Sequence, residues 1–346
     1  MRPIAPDVKV ESSQGPAGEI SVKVILTKAN PRAAKSRHSA FAPIVAPRAA
    51  TLESNGGVRG VMAAVEDAVL VAGGIGSRML PASAAIAKEA LPLVDIPALS
   101  HLAREAVAAG AKRIHIISSP RKDLSGLLKD HSWLENKRPD IDAEILSPFS
   151  DVEVFVHIQE IAKGFGDALS CALHAIKGPF MVLLGDNILL DSFTSSSGYI
   201  PSNASKILVE AYLRTGLPCV GLAAVSDPEN YGVVSMDGEL VKEIIEKPDR
   251  ENAPSNLVLC GRYVFTSDTS ILLSKYNFEE YGELQSIAIQ QHWMENEGLV
   301  GVELSGFEWY DSGAPLPWLK SQIDYALRRE DMRDEIRDWL SDRLQR

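Results

Sequence analysis

The sequence contains little cysteine and no long apolar run. No stretch approaches the about 18 uninterrupted apolar residues that a membrane-spanning helix needs, so we expect no membrane partner. Its three cysteines lie far apart in apolar sequence, at Cys171, Cys219 and Cys260. An odd number of scattered cysteines indicates buried, reduced thiols and not a disulfide framework. We therefore predict a cytoplasmic protein.

Basic residues are also in deficit. The chain has 35 Lys and Arg against 46 Asp and Glu, which gives a formal net charge of −11. Proteins that bind nucleic acid are usually basic over the binding face, so we expect no nucleic-acid partner. The deficit is uneven, because residues 1–61 hold nine basic and four acidic residues, a net charge of +5, whereas the remainder carries −16.

Residues 1–61 differ from the rest in composition as well as in charge. They are rich in Ala, Pro, Ser and Arg, and only Ser21–Thr27 alternates as a strand would. Three interpretations stay open: a disordered extension, a transit-like peptide, which its acidic residues argue against, or a non-native extension before a true start at Met62. We predict a disordered or non-native extension over 1–61 and a single domain over 62–346.

Apolar runs of strand length alternate with helical patterns in the first half of this domain. Helices are predicted over residues 98–110 and 164–176, and after residue 186 shorter strands and hairpins follow, then helices over 279–295 and 317–327. The pattern predicts an α/β protein with a Rossmann-like, doubly wound, mostly parallel sheet and a lobe of mixed topology. The predicted strands are 68–71, 112–118, 152–158, 180–184, 219–225, 232–236, 240–245, 257–265 and 299–304.

The C-terminal tail carries an apolar stripe at helical spacing, with charged residues on its opposite face. A packed terminal helix and a contact between subunits are both consistent with this pattern. The stripe consists of Met332, Ile336, Trp339, Leu340 and Leu344.

The stretch 66–97 joins a strand to a glycine-rich loop. The apolar run Ala68–Val71 leads into Ala72-Gly73-Gly74-Ile75-Gly76-Ser77-Arg78, and Lys88 follows ten residues later. Glycines let backbone N–H groups approach an anion closely, and a guanidinium can fork onto phosphate oxygens. The stretch therefore predicts a site for a triphosphate.

Two common phosphate-binding motifs are missing from this loop. A P-loop needs Gly-Lys followed by Ser or Thr, which occurs nowhere in the chain. A dinucleotide-binding fold needs a third glycine where Met79 stands, and Pro81 interrupts the helix that should follow. These departures disfavour an NAD-dependent oxidoreductase.

A family resemblance rests on Gly74-x-Gly76-Ser77-Arg78, followed by Pro81 and by Lys88-Glu89. This arrangement resembles the signature of the sugar-1-phosphate nucleotidylyltransferases, and within that family it is most similar to the bacterial UTP–glucose-1-phosphate uridylyltransferases. Ala84 stands where that subfamily has a first lysine, which puts substrate choice in question. The resemblance implies that Arg78 and Lys88 are catalytic and that the nucleotide is bound at Ala72, Gly73, Gly74, Gly76 and Ser77.

Two aspartates follow predicted strands. Asp186, in Gly185-Asp186-Asn187, comes directly after the strand 180–184, at the edge where α/β sheets bind ligands. A carboxylate there suits Mg²⁺, although a lone Asp could equally form a turn. Asp311 follows an aromatic run and precedes Ser312-Gly313. The family places Mg²⁺ between two such aspartates, so the resemblance implies magnesium ligands at Asp186 and Asp311.

The segment 159–166 resembles the part of the family that contacts the base. The resemblance implies that Gln159 binds the pyrimidine edge and that Gly164 packs against the base. A glutamine offers both a donor and an acceptor, as a uracil or thymine imide edge requires. Asp167 departs from the family, in which a histidine often stands at this position.

The sugar side rests on Glu246-Lys247-Pro248, which matches a Glu-Lys-Pro motif of the family. The resemblance implies that Glu246 accepts hydrogen bonds from sugar hydroxyls, with Gly232 and Asn187 also at the sugar. Lys247 is implied to neutralise the sugar phosphate. Outside this context a surface Glu–Lys pair would be the simpler interpretation.

Together these matches imply an enzyme that transfers a uridylyl group from UTP to glucose 1-phosphate with the help of Mg²⁺, giving UDP-glucose and pyrophosphate. Residues 62–186 would form the nucleotide-binding half, and residues 187–346 the sugar-binding half with the C-terminal helices. A dTTP-using enzyme, one for another sugar 1-phosphate, and a non-catalytic sugar-nucleotide-binding regulator stay open as alternatives. The family also suggests a homo-oligomer, either a dimer or a tetramer.

Overall fold

The computed structural model describes residues 63–276, 278–282 and 285–346, together with the backbone of residues 8–14 and 20–26. The strands are β1 Val8–Gln14, β2 Ile20–Leu26, β3 Asp67–Val71, β4 Pro92–Leu93, β5 Ile96–Pro97, β6 Arg113–Ser118, β7 Glu153–Ile158, β8 Phe180–Leu184, β9 Asn187–Leu190, β10 Cys219–Ala224, β11 Gly232–Asp237, β12 Leu240–Glu246, β13 Leu257–Phe265, β14 Val300–Glu303 and β15 Glu308–Asp311. The α-helices are α1 Ala82–Ala85, α2 Ala98–Ala108, α3 Ser125–Leu128, α4 Ala143–Leu146, α5 Phe165–Leu173, α6 Ala204–Thr215, α7 Thr269–Lys275, α8 Phe278–Tyr281, α9 Gln285–Glu295, α10 Pro315–Arg328 and α11 Arg333–Leu344.

In the described part of the chain, eleven strands form the main sheet, in the order β1-β2-β7-β6-β3-β8-β13-β10-β14-β12-β11. Strands β7, β6, β3 and β8 are parallel to one another, so their C-terminal ends share one edge. Four of the five residues of β3 are buried, as expected for a central parallel strand covered on both faces. The predicted α/β class with a doubly wound sheet is therefore confirmed, and the loops that carry the candidate site leave this shared edge.

The second half of the sheet is mixed, as the sequence indicated. Strand β13 runs antiparallel to both β8 and β10, whereas β10 and β14 are parallel. A small separate sheet pairs β9 with β15, with Asn187 opposite Asp311. The predictions did not include β9, because only two residues separate it from the end of β8. This small sheet matters for the site, since it places Asp311 opposite the residue that follows Asp186.

Helices cover both faces of the sheet. One core contains Leu99 of α2 and Leu208 of α6, and the other contains Leu169 of α5 and Trp293 of α9. These side chains are almost completely buried, so the apolar face of each helix packs against the sheet. The result is a three-layer arrangement that fixes the shared strand edge as a rigid platform.

Two stretches of the N-terminal segment form a β-hairpin. Strand β1 pairs with β2, and β2 pairs antiparallel with β7 at the edge of the sheet. Both strands lie within the predicted extension, and the free edge of β7 offers backbone groups to which the alternating Ser21–Thr27 segment can add. The remainder of 1–61 lies outside the described residues.

The C-terminal part differs from the predictions in two respects. The predicted helix 279–295 is divided into α8 and α9, and the residues between them include two that lie outside the described part. Helix α11 has no buried residue, and its apolar stripe is only partly covered within this chain, since Met332, Ile336 and Leu340 are half-buried whereas Trp339 is 53% exposed. Among the described helices, none has the length and apolar content to cross a membrane.

Candidate active site

The glycine-rich loop leaves β3 at the shared strand edge. The amide of Ala72 still donates to the carbonyl of Ile117 at 2.8 Å, so the loop begins directly after the strand ladder. Gly76 has a φ of +75°, a left-handed conformation that strains any residue with a side chain. A Cβ at Gly76 would lie 3.4 Å from Cδ of Lys88, so this glycine also lets the loop pack against the lysine stem. Beyond it, Ser77 and Arg78 are exposed, as is Gly74 before it.

Lys88 forms an ion pair with Asp186. Its Nζ donates to Oδ2 of Asp186 at 2.5 Å, and the lysine is buried. The two residues lie 98 positions apart, but they belong to the segments that follow the neighbouring strands β3 and β8. Burial acts to raise the pKa of Asp186, but the charges of Lys88 and Arg78 outweigh it and hold this pKa below its ordinary value. Asp186 is therefore ionised at neutral pH.

Asp186, Asp311 and Arg78 converge on Gly313. A Cβ at Gly313 would lie 2.8 Å from Nη2 of Arg78, 2.9 Å from Oδ1 of Asp311 and 3.3 Å from Oδ2 of Asp186. The amide of Ser312 donates to the carbonyl of Asp186 at 3.0 Å, which fixes β15 beside the loop that follows β8. The absence of a side chain at Gly313 thus leaves the space in which two carboxylates and a guanidinium meet.

This donor set fits magnesium. Within the described residues, no group of three or more His, Cys, Asp or Glu side chains could hold a metal ion. Magnesium is commonly bound through one or two carboxylates, with water and substrate phosphates as its other ligands. Asp186 and Asp311 supply such a pair of carboxylates, whereas a metal that requires a cage of protein ligands would not fit.

A buried lysine behind the loop was missed by the sequence analysis. Nζ of Lys122 donates to both carboxylate oxygens of Glu89, at 2.8 and 2.7 Å, and to the carbonyl of Ala72 at 2.6 Å. Burial lowers the pKa of Lys122 and raises that of Glu89, and in each case the partner's charge opposes the shift. The pair fixes the first carbonyl of the glycine loop. The feature of the sequence that could have identified Lys122 is its position after β6, at the same strand edge.

Gln159 follows β7 at this edge and contacts the glycine loop. A Cβ at Gly73 would lie 3.0 Å from Oε1 of Gln159, so a larger residue at this position would displace the glutamine side chain slightly. The amide nitrogen of Gln159 donates to Oδ2 of Asp167 at 2.7 Å and to the carbonyl of Gly164 at 3.3 Å. Gly164 has a φ of +96° and precedes α5, so it turns the chain into that helix. The structure thus places Gln159, Gly164 and Gly73 together.

The predicted sugar-side residues form a second group. Gly232 is opposite Glu246 in the pairing of β11 with β12, and a Cβ at Gly232 would lie 3.1 Å from Oε2 of Glu246. Lys247 has an exposed side chain and a φ of +46°, and its amide donates to the carbonyl of Tyr231 at 2.9 Å. The Tyr231 ring packs on Trp309, two residues before Asp311, which links this group to the carboxylates.

Asn187 is positioned by a buried ion pair. Arg262 donates to both carboxylate oxygens of Glu105, at 2.8 and 2.9 Å, and to the carbonyl of Asn187 at 2.8 Å. A Cβ at Gly261 would lie 2.5 Å from Nδ2 of Asn187, so this glycine gives the asparagine side chain its room. Neither Arg262 nor Glu105 was identified from the sequence, because a charged residue inside an apolar strand or helix gives no sign of its partner.

These features define the class of protein. A doubly wound sheet with a glycine loop, cations and converging carboxylates at the C-terminal strand edge is the arrangement of an α/β enzyme that transfers nucleotidyl groups. Residues 67–326 match the family model described as nucleotidyl transferase, which is more than half of the chain. The chain therefore belongs to the nucleotidyl transferase family.

Named relatives cover most of the chain. It is 30% identical over 296 residues to UTP–glucose-1-phosphate uridylyltransferase 2 of Staphylococcus saprophyticus, covering 81% of this chain and 98% of that one. Among solved structures, a UDP-glucose pyrophosphorylase from Acinetobacter baumannii aligns with a TM-score of 0.67 and 29% identity, covering 80% of this chain and 99% of that one. A UTP-bound form from the same organism has the same TM-score and identity and is covered to 98%.

Proposed function

We propose that the protein transfers the uridylyl group of UTP to glucose 1-phosphate, forming UDP-glucose and releasing pyrophosphate. The observation that carries this proposal is the convergence of Arg78, Asp186 and Asp311 on Gly313, with Lys88 paired to Asp186. Support comes from the relatives, which include uridylyltransferases about 30% identical over most of the chain and a UTP-bound homologous structure. Residues 62–186 would bind the nucleotide, and residues 187–346 the sugar.

The attacking group requires no general base. The phosphate of a sugar 1-phosphate is largely dianionic at neutral pH, since its second pKa is about 6. The barrier is the approach of one anion to the α-phosphorus of another. Lys247, whose side chain is exposed beside Glu246, would neutralise the incoming phosphate while Glu246, Gly232 and Asn187 hold the sugar. The chain's contribution to this step is positioning and charge compensation.

The leaving pyrophosphate needs compensation of its own charge. Arg78, at the end of the glycine loop, and the loop amides would hold the β- and γ-phosphates of UTP. Lys88, whose stem packs against Gly76 of the loop, would also reach these phosphates. Mg²⁺, bound by Asp186 and Asp311, would supply electrostatic stabilisation of the charge on the phosphates.

The base would be read by Gln159, whose amide lies against Gly73. Uracil and thymine present the same imide edge, so this contact allows dTTP as the alternative nucleotide. A different sugar 1-phosphate also fits, because Glu246 and Lys247 on the sugar side are exposed. A non-catalytic regulator would be expected to have lost one of the phosphate cations or carboxylates, and Arg78, Lys88, Lys247, Asp186 and Asp311 are all present.

Pyrophosphate release tests the proposal. The full chain is incubated with Mg²⁺ and glucose 1-phosphate, and UTP, dTTP, CTP, ATP and GTP are offered separately. We expect release with UTP in preference to the other four nucleotides. Preference for dTTP would establish the alternative nucleotide, and no release with folded protein and any of the five would contradict the proposal for glucose 1-phosphate. A panel of other sugar 1-phosphates would then separate another substrate from a regulator.

We further propose that the protein is a cytoplasmic homo-oligomer. Helix α10 exposes Leu316, Leu319 and Ile323 at helical spacing, and Trp339 of the neighbouring α11 is also exposed. An apolar surface of this kind on two adjacent helices supports association with a second copy. No disulfide joins the three cysteines, as is usual in a reducing compartment. Sedimentation velocity would distinguish monomer, dimer and tetramer.

A further inference from the structure

Asp167 holds the side-chain amide of Gln159. Nε2 of Gln159 lies 2.7 Å from Oδ2 of Asp167 and 3.3 Å from the carbonyl oxygen of Gly164, and Gln159 is 7% exposed. Asp167 lies in the first turn of α5, which begins at Phe165. The helix and the residue that follows β7 are therefore joined by this contact at the strand edge.

The chemistry of these neighbours fixes which way the amide points. A carboxylate and a backbone carbonyl only accept hydrogen bonds, and an amide nitrogen carries two N–H donors. With the nitrogen toward Asp167 and Gly164, both donors have partners. The opposite orientation would place the amide oxygen against two acceptor oxygens and leave both donors without those partners. Asp167 thus selects one of the two amide orientations.

The selected orientation presents an acceptor to the nucleotide loop. Oε1 of Gln159 lies 3.0 Å from the position of a Cβ at Gly73. Within the described part of the chain Oε1 receives no hydrogen bond, whereas the two N–H groups are turned to the protein. The group available to a base at this loop is therefore a fixed acceptor and not a donor–acceptor pair.

We propose that Asp167 is a positioning residue that sets base specificity by locking Gln159 with its amide oxygen toward the base. The proposal rests on the proposed function, in which Gln159 reads the base. Placed opposite ring position 3 of the base, a locked acceptor favours a pyrimidine that carries N–H there, as uracil and thymine do. Cytosine has a lone pair at that position, so it faces the amide oxygen without a proton between them. Asp167 therefore discriminates against CTP and does not discriminate between UTP and dTTP.

Removing the carboxylate frees the amide. In Asp167→Ala only the longer contact to the Gly164 carbonyl remains, so Gln159 can also turn its N–H groups to the base and accept cytosine. We expect the preference for UTP over CTP to fall roughly tenfold, the scale of losing one hydrogen bond to a charged group. Asp167→Asn retains an acceptor of the same shape without the charge, and its preference should remain within about twofold of the wild type.

Two comparisons separate positioning from a general structural effect. Asp167 also stabilises the positive N-terminus of α5, and Asn at 167 loses that charge as fully as Ala does. If the helix charge were responsible, both variants would change the preference alike. Glu160→Gln is the matched control, because it removes an exposed carboxylate from the same segment. The UTP-to-dTTP ratio should not change in any variant.

The experiment measures dissociation constants of the full chain for UTP, dTTP and CTP by calorimetry without sugar phosphate, and kcat/KM for the same nucleotides. A lowered UTP-to-CTP ratio in Asp167→Ala, with wild-type ratios in Asp167→Asn and Glu160→Gln, is the expected result. An unchanged ratio in Asp167→Ala, or an equal change in Asp167→Asn, would overturn the inference. Selective UTP binding without turnover would overturn the proposed function alone, and wild-type binding of CTP as tight as UTP would overturn the role of Asp167.

Discussion

Nζ of Lys88 lies 2.5 Å from Oδ2 of Asp186, so the proposed phosphate cation and a proposed magnesium ligand neutralise each other. The ammonium group carries three N–H donors, so Lys88 can hold Asp186 and also contact a substrate phosphate. The ion pair couples the two residues energetically, beyond their separate roles.

Lys88→Ala and Asp186→Asn should each lower turnover by roughly 10²–10³, the scale of losing one preorganised charge partner. Because each variant also leaves the other charge without its partner, the double variant should cost less than the sum of the two. Steady-state kcat and KM for all three variants measure this coupling. Lys177→Ala, an exposed lysine just before β8 at the opposite strand edge, is the control. Near-wild-type turnover in both single variants would refute the assigned roles.

Gly313→Ala should reduce turnover roughly 10²-fold, since a misplacement of about 1 Å at reacting groups can cost that much. The added methyl would come within 2.8 Å of Arg78 and 2.9 Å of Asp311, and one of them must move. The thermal midpoint should change little, because Gly313 has no left-handed backbone conformation to strain. Gly126→Ala, where a Cβ would meet nothing within 4 Å, is the matched control. Full activity of Gly313→Ala would show that the space at Gly313 is not needed.

The strand positions and the location of the site followed from the sequence, because apolar runs such as Phe180–Leu184 are long enough to identify buried strands. The rule that ligands bind at the ends of parallel strands then placed Asp186 correctly at the shared edge. The contacts between side chains did not follow. Lys88 and Asp186 are 98 positions apart, and no spacing rule shows that they pair directly.

Other features could not be predicted for a different reason. Lys122 is a charged residue in a polar connection, and only the fold reveals that its side chain is buried under the glycine loop. The apolar stripe of α11 predicts a helix but not whether another surface covers it. The exposure of Trp339 shows that packing partners are a property of the whole assembly and not of the local pattern.

Lys122→Ala should destabilise the protein by about 3 kcal/mol, the scale for leaving one member of a buried ion pair unpaired. Glu89 is completely buried and would keep its charge or take up a proton at a cost. Lys122→Met combined with Glu89→Gln removes both charges and should recover most of that loss. Urea denaturation at pH 7 measures the free energy of unfolding of each variant. A double variant no more stable than Lys122→Ala would show that the loop carbonyl of Ala72, and not Glu89, is the partner that matters.

The stability should also depend on pH through His101, which is buried and packs against the rings of Tyr199 and Tyr325. Burial lowers its pKa from 6.5 to about 4, with Asp95 opposing and Arg329 adding to the shift. Between these pH values the unfolded chain binds a proton that the folded chain does not. The stability that depends on a neutral His101 is therefore fully present above pH 6.5. It is lost as the pH falls toward 4, by up to about 3 kcal/mol.

His101→Gln removes this titration, so the free energy of unfolding of the variant should fall less steeply with decreasing pH. Within that window the slopes of the wild type and the variant should differ by about 1.4 kcal/mol per pH unit. Tyr199→Phe is the control, because it deletes the hydroxyl that lies 2.9 Å from Nδ1 of His101 but leaves the imidazole buried. That variant should lose stability and retain the slope. Urea denaturation at intervals between pH 4.5 and 7 measures both quantities. Equal slopes in the wild type and His101→Gln would mean that another group, such as the buried His157, whose pKa is lowered to about 3, accounts for the acid sensitivity.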